Sequence, residues 1–323
     1  MNSSENIVPG NVATATAVVK GAVVVENLIK TYGKKKEVTA LNNISFKVEP
    51  GALFGIIGPD GAGKTSLFRI LTTLLLADSG SAHVDGFDVV KDYKAIRSRV
   101  GYMPGKFSLY PDLSVEENLN FFATIFKTSI AENYELIKDI YIQIEPFKDR
   151  KAGKLSGGMK QKLALCCALI HRPTVLFLDE PTTGVDAVSR KEFWEMLKGL
   201  KEKGITILVS TPYMDEAGLC DRVALMQDGL ILTIDSPVGI INSFANPIWS
   251  VKSLNMLHLL DSLKELPFVD AAYPFGEYHH VVLKNESFNK DLQAFVNDRS
   301  DENALIKAVR PDIEDCFIAL MKN

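Results

Sequence analysis

Nine residues, Gly58-Pro59-Asp60-Gly61-Ala62-Gly63-Lys64-Thr65-Ser66, constrain this chain more than any others. They follow the apolar run Leu53-Phe54-Gly55-Ile56-Ile57 and precede Leu67-Phe68-Arg69-Ile70-Leu71, which puts them between a buried strand and a helix. Glycines let the backbone curl so that successive N–H groups point inward at phosphate oxygens, and the following helix adds its positive N-terminal end. The segment reads as a phosphate-binding loop, with Gly58, Pro59, Asp60, Gly61, Ala62 and Gly63 forming the cradle. Lys64 would reach the β- and γ-phosphates, Thr65 would offer its hydroxyl to Mg²⁺, and Ser66 would lie beside the phosphates as a secondary donor. A ligand-free glycine-rich turn would need neither the lysine nor the hydroxyl.

A second element gives that loop a chemistry. Thr174-Val175-Leu176-Phe177-Leu178-Asp179-Glu180 is an apolar run ending in two carboxylates. A strand buried on both faces reads as an unbroken apolar run, and an open α/β sheet places ligands at the carboxyl ends of its strands. Asp179 is thereby placed to hold Mg²⁺, usually through water. Glu180 is placed to polarise a water that attacks the γ-phosphate. In isolation the pair would be an acidic turn after a core strand; beside the loop it is the other half of a nucleotide site.

Between the two lies Leu155-Ser156-Gly157-Gly158-Met159-Lys160-Gln161, just ahead of the apolar helix Leu163 to Leu169. A serine and two glycines opening a helix make a second anion cradle, and one nucleotide does not need two. Leu-Ser-Gly-Gly-Met-Lys-Gln resembles the signature of ATP-binding cassette (ABC) proteins. In that family two cassettes dimerise head to tail, and each signature closes over the ATP held by the other's loop. The resemblance assigns that role to Ser156, Gly157 and Gly158. The matches run in the family's order from about Val23 to Ser236 and include Asp179 to Asp186, of which Thr183 to Asp186 resembles the loop that crosses the dimer interface. Tyr32, in Lys30-Thr31-Tyr32-Gly33, takes the place of the aromatic that stacks on adenine, for which a π-face suffices. The resemblance implies ATP and Mg²⁺ as cofactors. It also implies a second cassette and an integral membrane transport subunit as partners, and a peripheral position on the cytoplasmic face of the cell membrane.

Two positions depart from the family pattern. Its usual glutamine after the strand Val100-Gly101-Tyr102-Met103-Pro104, which touches Mg²⁺ and the attacking water, is replaced by Gly105. The only glutamines are Gln143, Gln161, Gln227 and Gln293, so none has slipped by a residue. The family's histidine after the strand Ile205 to Val209, which contacts the γ-phosphate, is replaced by Pro212, and none of the five histidines is an obvious substitute. Proline has no side-chain donor and no N–H. Phosphoryl transfer depends mostly on positioning and charge stabilisation, so these losses should slow chemistry more than binding. Two readings stay open. One is a cassette that hydrolyses ATP and powers an export transporter. The other is a catalytically weak partner whose intact signature completes the site of a second, competent cassette. A soluble cassette of translation or DNA repair is a third class. It is disfavoured by the single loop, the single signature and the lack of sustained heptads.

The expected fold is α/β: a phosphate-loop core with a mostly parallel sheet and antiparallel strands, an inserted helical subdomain over about 112–172, and a small C-terminal α/β appendage. Residues 1–20 read as a flexible arm, 21–244 as the nucleotide-binding domain and 245–323 as the accessory domain. Strands are expected at Val23–Val25, Ile44–Val48, Leu53–Ile57 and Ser81–Val84 and near Thr174, Ile205, Val223 and Leu230, with a helix over Ser189–Glu202. In the appendage, Ile248–Val251, Tyr278–Leu283 and Ala304–Val309 read as strands, and Met256–Leu266 and Ile313–Lys322 as helices. The ending Pro311-Asp312-Ile313-Glu314-Asp315-Cys316-Phe317 resembles that of cassettes serving drug- and polymer-exporting systems. Glu314 and Asp315 read as acids complementing a helix dipole. His279 and His280, adjacent on a strand, point to opposite faces and so do not share a metal. The net charge of −4 across 323 residues offers no basic excess for nucleic acid. No apolar run approaches bilayer length, and the N-terminus lacks a secretory pattern. The four cysteines have no metal spacing and suit a reducing cytosol.

Overall fold

The computed structural model describes residues 22–35, 37–106, 108–299 and 304–321. The arm read over 1–20 lies outside them. The chain begins with β1 (Val23–Tyr32), β2 (Val38–Val48), β3 (Leu53–Ile57), α1 (Lys64–Leu71), β4 (Ser79–Val84), β5 (Phe87–Asp88), α2 (Tyr93–Arg97) and β6 (Val100–Met103). Three helices follow, α3 (Val115–Ile125), α4 (Ile130–Tyr141) and α5 (Gly157–Leu169). The core resumes with β7 (Val175–Asp179), α6 (Ala187–Glu202), β8 (Thr206–Thr211), β9 (Arg222–Gln227), β10 (Leu230–Asp235) and α7 (Pro237–Ser243). The last part holds β11 (Ile248–Lys252), α8 (Met256–Lys264), β12 (Val269–Phe275), β13 (Tyr278–Leu283), α9 (Asn289–Arg299), β14 (Leu305–Val309) and α10 (Ile313–Leu320).

The central sheet has the order β10-β9-β3-β8-β7-β6, parallel except for β10. Every residue of β3, β7 and β8 is buried, as an apolar run with helices or a second sheet on each face requires. The alternation divides the core cleanly. Leu53, Ile57, Leu176, Leu178, Ile207 and Val209 face α3 to α6, whereas Phe54, Ile56, Phe177 and Leu208 face α1 and the antiparallel sheet β2-β1-β4-β5. Helix ends are specified locally: Ser114 and Glu117 form a capping box on α3, and Ser156, Asp186 and Ser236 cap α5, α6 and α7.

A third sheet, β12-β13-β11-β14, packs with α8 and α9 around its own apolar cluster of Val251, Leu263, Val281, Leu283, Leu292 and Val296. Helix α10 leaves that cluster. Its Ile313, Cys316 and Phe317 join the core beneath the central sheet with Ala217, Cys220 and Ile240. Elements β12 and α9 escape the sequence reading. The first contains Pro274, and the second buries Leu292 and Val296, with Phe295 half-buried beside them, on a helix whose other residues are mostly polar. The strand read over Val23–Val25 continues to Tyr32 and so carries that tyrosine to a strand end. The last helix ends at Leu320, and Lys322 lies outside the described residues.

The two histidines bond to different elements, His279 Nε2 to the Met256 carbonyl at 2.7 Å and His280 to α10. Asp315 does more than complement a dipole. One of its oxygens accepts from His280 Nδ1 at 2.7 Å and from the Tyr273 hydroxyl at 2.8 Å, and the other accepts from the Asp312 N–H at 2.9 Å. Burial would raise this carboxyl, but the donors from His280, Asp312 and Tyr273 outweigh it and hold its pKa below the ordinary value. The stability it contributes is present above the unfolded-state pKa and is lost as pH falls through the lower folded-state value. All four cysteines are free and buried, and burial together with Asp315 and Asp312 pushes the Cys316 thiol up to about 12. Replacing Asp315 by alanine leaves the buried His280 and the half-buried Tyr273 without their acceptor. A loss of about 3 kcal/mol is expected, read as a lower urea midpoint at neutral pH that converges with the unmodified chain in acid.

Candidate functional site

Parallel pairing of β3 with β8 and of β8 with β7 brings three strand ends together, and the site hangs from them. The loop 58–66 leaves β3 and turns into α1. Gly61 and Gly63 adopt φ of +83° and +105°, the left-handed region that glycine enters without strain. A Cβ on Gly58 would collide with the Met226 carbonyl oxygen and one on Gly63 with that of Ala40, so the tight curl excludes side chains there. The first turn of α1 supplies N–H groups without helical partners to the loop's concave side.

Lys64, only 3% exposed, donates to the Gly58 and Pro59 carbonyls at 2.8 and 2.9 Å and lies 3.3 Å from Glu180 Oε1. Thr65 Oγ1 donates to Asp179 Oδ1 at 3.2 Å. The structure thus brings together Lys64, Thr65, Asp179 and Glu180, which are up to 116 positions apart in sequence (180 − 64). Glu180 sits at φ +51°, unusual for a residue with a side chain, and its N–H donates to both the carbonyl and the hydroxyl of Ser210. A hydroxyl oxygen and a carboxylate oxygen within reach of each other are the ligands a hard divalent cation takes, so the residues present fit Mg²⁺. Tyr32, 38% exposed, sits at the end of β1 with its hydroxyl 3.0 Å from Ser66 Oγ and the Lys30 ammonium 5.6 Å from its ring centre. Asp78 fastens this strand end by accepting from Thr31 N–H and Oγ1, both at 2.7 Å. Those hydrogen bonds, with Lys30 beside them, hold its carboxyl well below the usual range.

Gly105 lies against the carboxylate corner: a Cβ built on it would be 3.1 Å from the Asp179 carbonyl oxygen. Pro212 follows Thr211, whose carbonyl accepts from the Gly58 N–H at 3.2 Å. Both departures therefore border the site. The segment after Pro212 is fastened by Glu216, 1% exposed, which accepts from Thr211 Oγ1 at 2.5 Å and Thr182 Oγ1 at 2.8 Å. Ser156, Gly157 and Gly158 are not part of this cluster. Ser156 caps α5, a Cβ on Gly157 would approach the Gly184 carbonyl at 3.7 Å, and one on Gly158 would press on Ser189.

The sequence reading missed Ser210, Glu216 and Tyr102. Burial and the nearby Asp179 charge, opposed by Arg69, push the Tyr102 hydroxyl up to about 12. Of the three only Glu216 carried a signal, as a carboxylate soon after a buried strand.

Fold and loop together define a nucleotide-binding cassette of the phosphate-loop class. The ABC transporter family model matches residues 41–183. Nod factor export ATP-binding protein I of Burkholderia thailandensis is 40% identical over 292 residues, covering 87% of this chain and 91% of that protein. The probable multidrug ABC transporter ATP-binding protein YbhF of Escherichia coli (strain K12) is 40% identical over 278 residues, 85% of this chain; the chain spans 48% of the length of that relative. Among solved structures, a dimeric post-hydrolysis state of the ATP-binding cassette MJ0796 bound to ADP and Pi matches with a TM-score of 0.60 at 27% identity. It covers 66% of this chain and 98% of that one. This chain belongs to the ABC transporter family.

Lys64→Ala removes the buried ammonium from the cradle. ATP affinity is expected to fall roughly 10- to 100-fold, the worth of a charge-assisted hydrogen bond, in a fluorescence titration with a labelled ATP analogue.

Proposed function

We propose that the chain binds Mg-ATP at the loop 58–66, pairs head to tail with a second cassette, and hydrolyses ATP to drive an export transporter whose membrane part is a separate subunit. The observation that carries this reading is the convergence of Lys64, Thr65, Asp179 and Glu180 at the ends of β3 and β7. In it the backbone from Gly58 to Gly63, with Ser66, holds the phosphates, Lys64 the β- and γ-phosphates, and Tyr32 the adenine. Thr65 and Asp179 hold Mg²⁺, which supplies charge neutralisation at the phosphate oxygens. Glu180 orients and polarises the attacking water. Ser156, Gly157 and Gly158 act on the partner's nucleotide; within this chain their neighbours are Met159, Gly184 and Ser189.

Lys64 is shared between two carbonyls and Glu180. Arriving phosphate competes for that ammonium and so frees the Glu180 carboxylate for water. The membrane subunit is assigned to the helical side. There a half-open groove of about 420 Å³, lined by Tyr102, Gly105, Leu109, Phe122, Phe126 and His171, runs beside the carboxylate corner. No helix among the described residues is long and apolar enough to cross a membrane. With such a partner the chain takes a peripheral position on the cytoplasmic face. Export as the direction follows the names of the relatives. We divide the chain into an arm over 1–20, the cassette over 21–244 and the accessory domain over 245–323.

Gly105 and Pro212 favour a second reading, in which this site binds Mg-ATP, turns it over slowly and serves a competent partner cassette. Turnover by the purified chain, with Glu180→Gln as background and binding measured in parallel, separates the two. The first reading expects turnover above that background by about a hundredfold, the scale of general-base catalysis. Binding with turnover equal to Glu180→Gln establishes the second.

A further inference from the structure

The Ser210 hydroxyl bonds both the Asp179 carboxylate and the backbone of Glu180. It is fully buried in β8, next to β7 in the sheet. Its hydroxyl donates to Asp179 Oδ1 at 2.6 Å and accepts from the Glu180 N–H at 3.1 Å. The same N–H also donates to the Ser210 carbonyl at 3.0 Å. A buried hydroxyl is tolerated when its hydrogen bonds are made, and these two make both the donor and an acceptor of Ser210.

The geometry has a direction. Two hydroxyls, Ser210 and Thr65, converge on Asp179 Oδ1. The Thr65 bond is the longer, at 3.2 Å against 2.6 Å, and the Thr65 oxygen is the one assigned to the cation. Ser210 is on the sheet rather than on the loop, so its bond holds Asp179 independently of how the loop meets the cation. At the same time it anchors the N–H of Glu180 in the left-handed backbone conformation that aims this carboxylate at Lys64. Neither Gly105 nor Pro212 brings a side-chain donor to this corner.

Resting on the reading that the loop 58–66 binds Mg-ATP, we propose that Ser210 is a positioning residue that orients Asp179 and Glu180 and thereby sets the affinity of the nucleotide site for Mg²⁺. Groups that hold a metal's ligands by hydrogen bonds typically alter metal affinity on the order of 10- to 100-fold when removed. A residue that only filled space in β8 would alter fold stability and leave the metal dependence untouched.

The test is binding, not turnover. A fluorescent ATP analogue is titrated into the full chain in EDTA, and Mg²⁺ is then titrated at fixed nucleotide. Ser210→Ala is expected to bind the nucleotide in EDTA as the unmodified chain does, but to need on the order of tenfold more Mg²⁺ for half-saturation. Ser210→Thr, which keeps the hydroxyl, is expected to restore the midpoint. Ser210→Cys, close in volume and a poor donor, is expected to behave like alanine, and it serves as the reading if the alanine variant does not fold. A midpoint within twofold of the unmodified chain in a folded Ala or Cys variant overturns the proposal. Failure of the unmodified chain to bind the analogue at all overturns instead the nucleotide-site reading beneath it.

Discussion

A buried ammonium cannot stand unpaired, and much of this site is arranged around that fact. Lys64 begins a helix in the interior, with two carbonyls of its own loop and the Glu180 carboxylate as its neighbours. The carbonyls are available because the loop curls back past Gly58 and Gly63. The carboxylate is available because only β8 separates β3 from β7, so their carboxyl ends lie one strand apart at the same edge of the sheet. Strand order and loop curvature together satisfy this one charge.

The groups around it fall into two kinds. Asp179 and Glu180 end an apolar run that specifies a buried strand, and Lys64 and Thr65 end the glycine-rich loop that follows another, which places all four at the sheet's rim. These were legible in the sequence, as were the helices capped by Ser114, Ser156 and Asp186. Ser210 was not. A serine inside Leu208-Val209-Ser210-Thr211 carries no periodicity that separates a buried hydroxyl with two partners from a solvated one. Tyr102 reads as an ordinary strand aromatic until β6 pairs with β7 and brings it to Asp179. Glu216 is similar: its partners Thr182 and Thr211 lie 34 and 5 residues away, and only the fold joins them.

The appendage shows the opposite limit. Its apolar segments were legible one at a time, but β12 and α9 were lost because a proline interrupts the first and polar residues dominate the second. Nor could the spacing of Tyr273, His280 and Asp315 announce a common hydrogen-bond cluster, since the antiparallel register of β12 and β13 is what sets Tyr273 opposite His280. Asp315 looked like a helix-dipole acid and is one, within a capping box with Asp312. The same carboxylate also ties the third sheet to α10.

That last helix has a consequence for how the chain comes into being. Phe317 and its neighbours fill part of the core beneath the central sheet, against residues near Ala217 and Ile240, although β11 to β14 intervene in sequence. During synthesis the cassette's strands and its nucleotide loop emerge well before this filling does. Until the ribosome has delivered residues 313–317, apolar surface around Ala217 and Cys220 stays open, beside the segment that follows Pro212. The core beneath the central sheet is therefore filled only after β11 to β14 have been made, by a helix that belongs in sequence to the appendage.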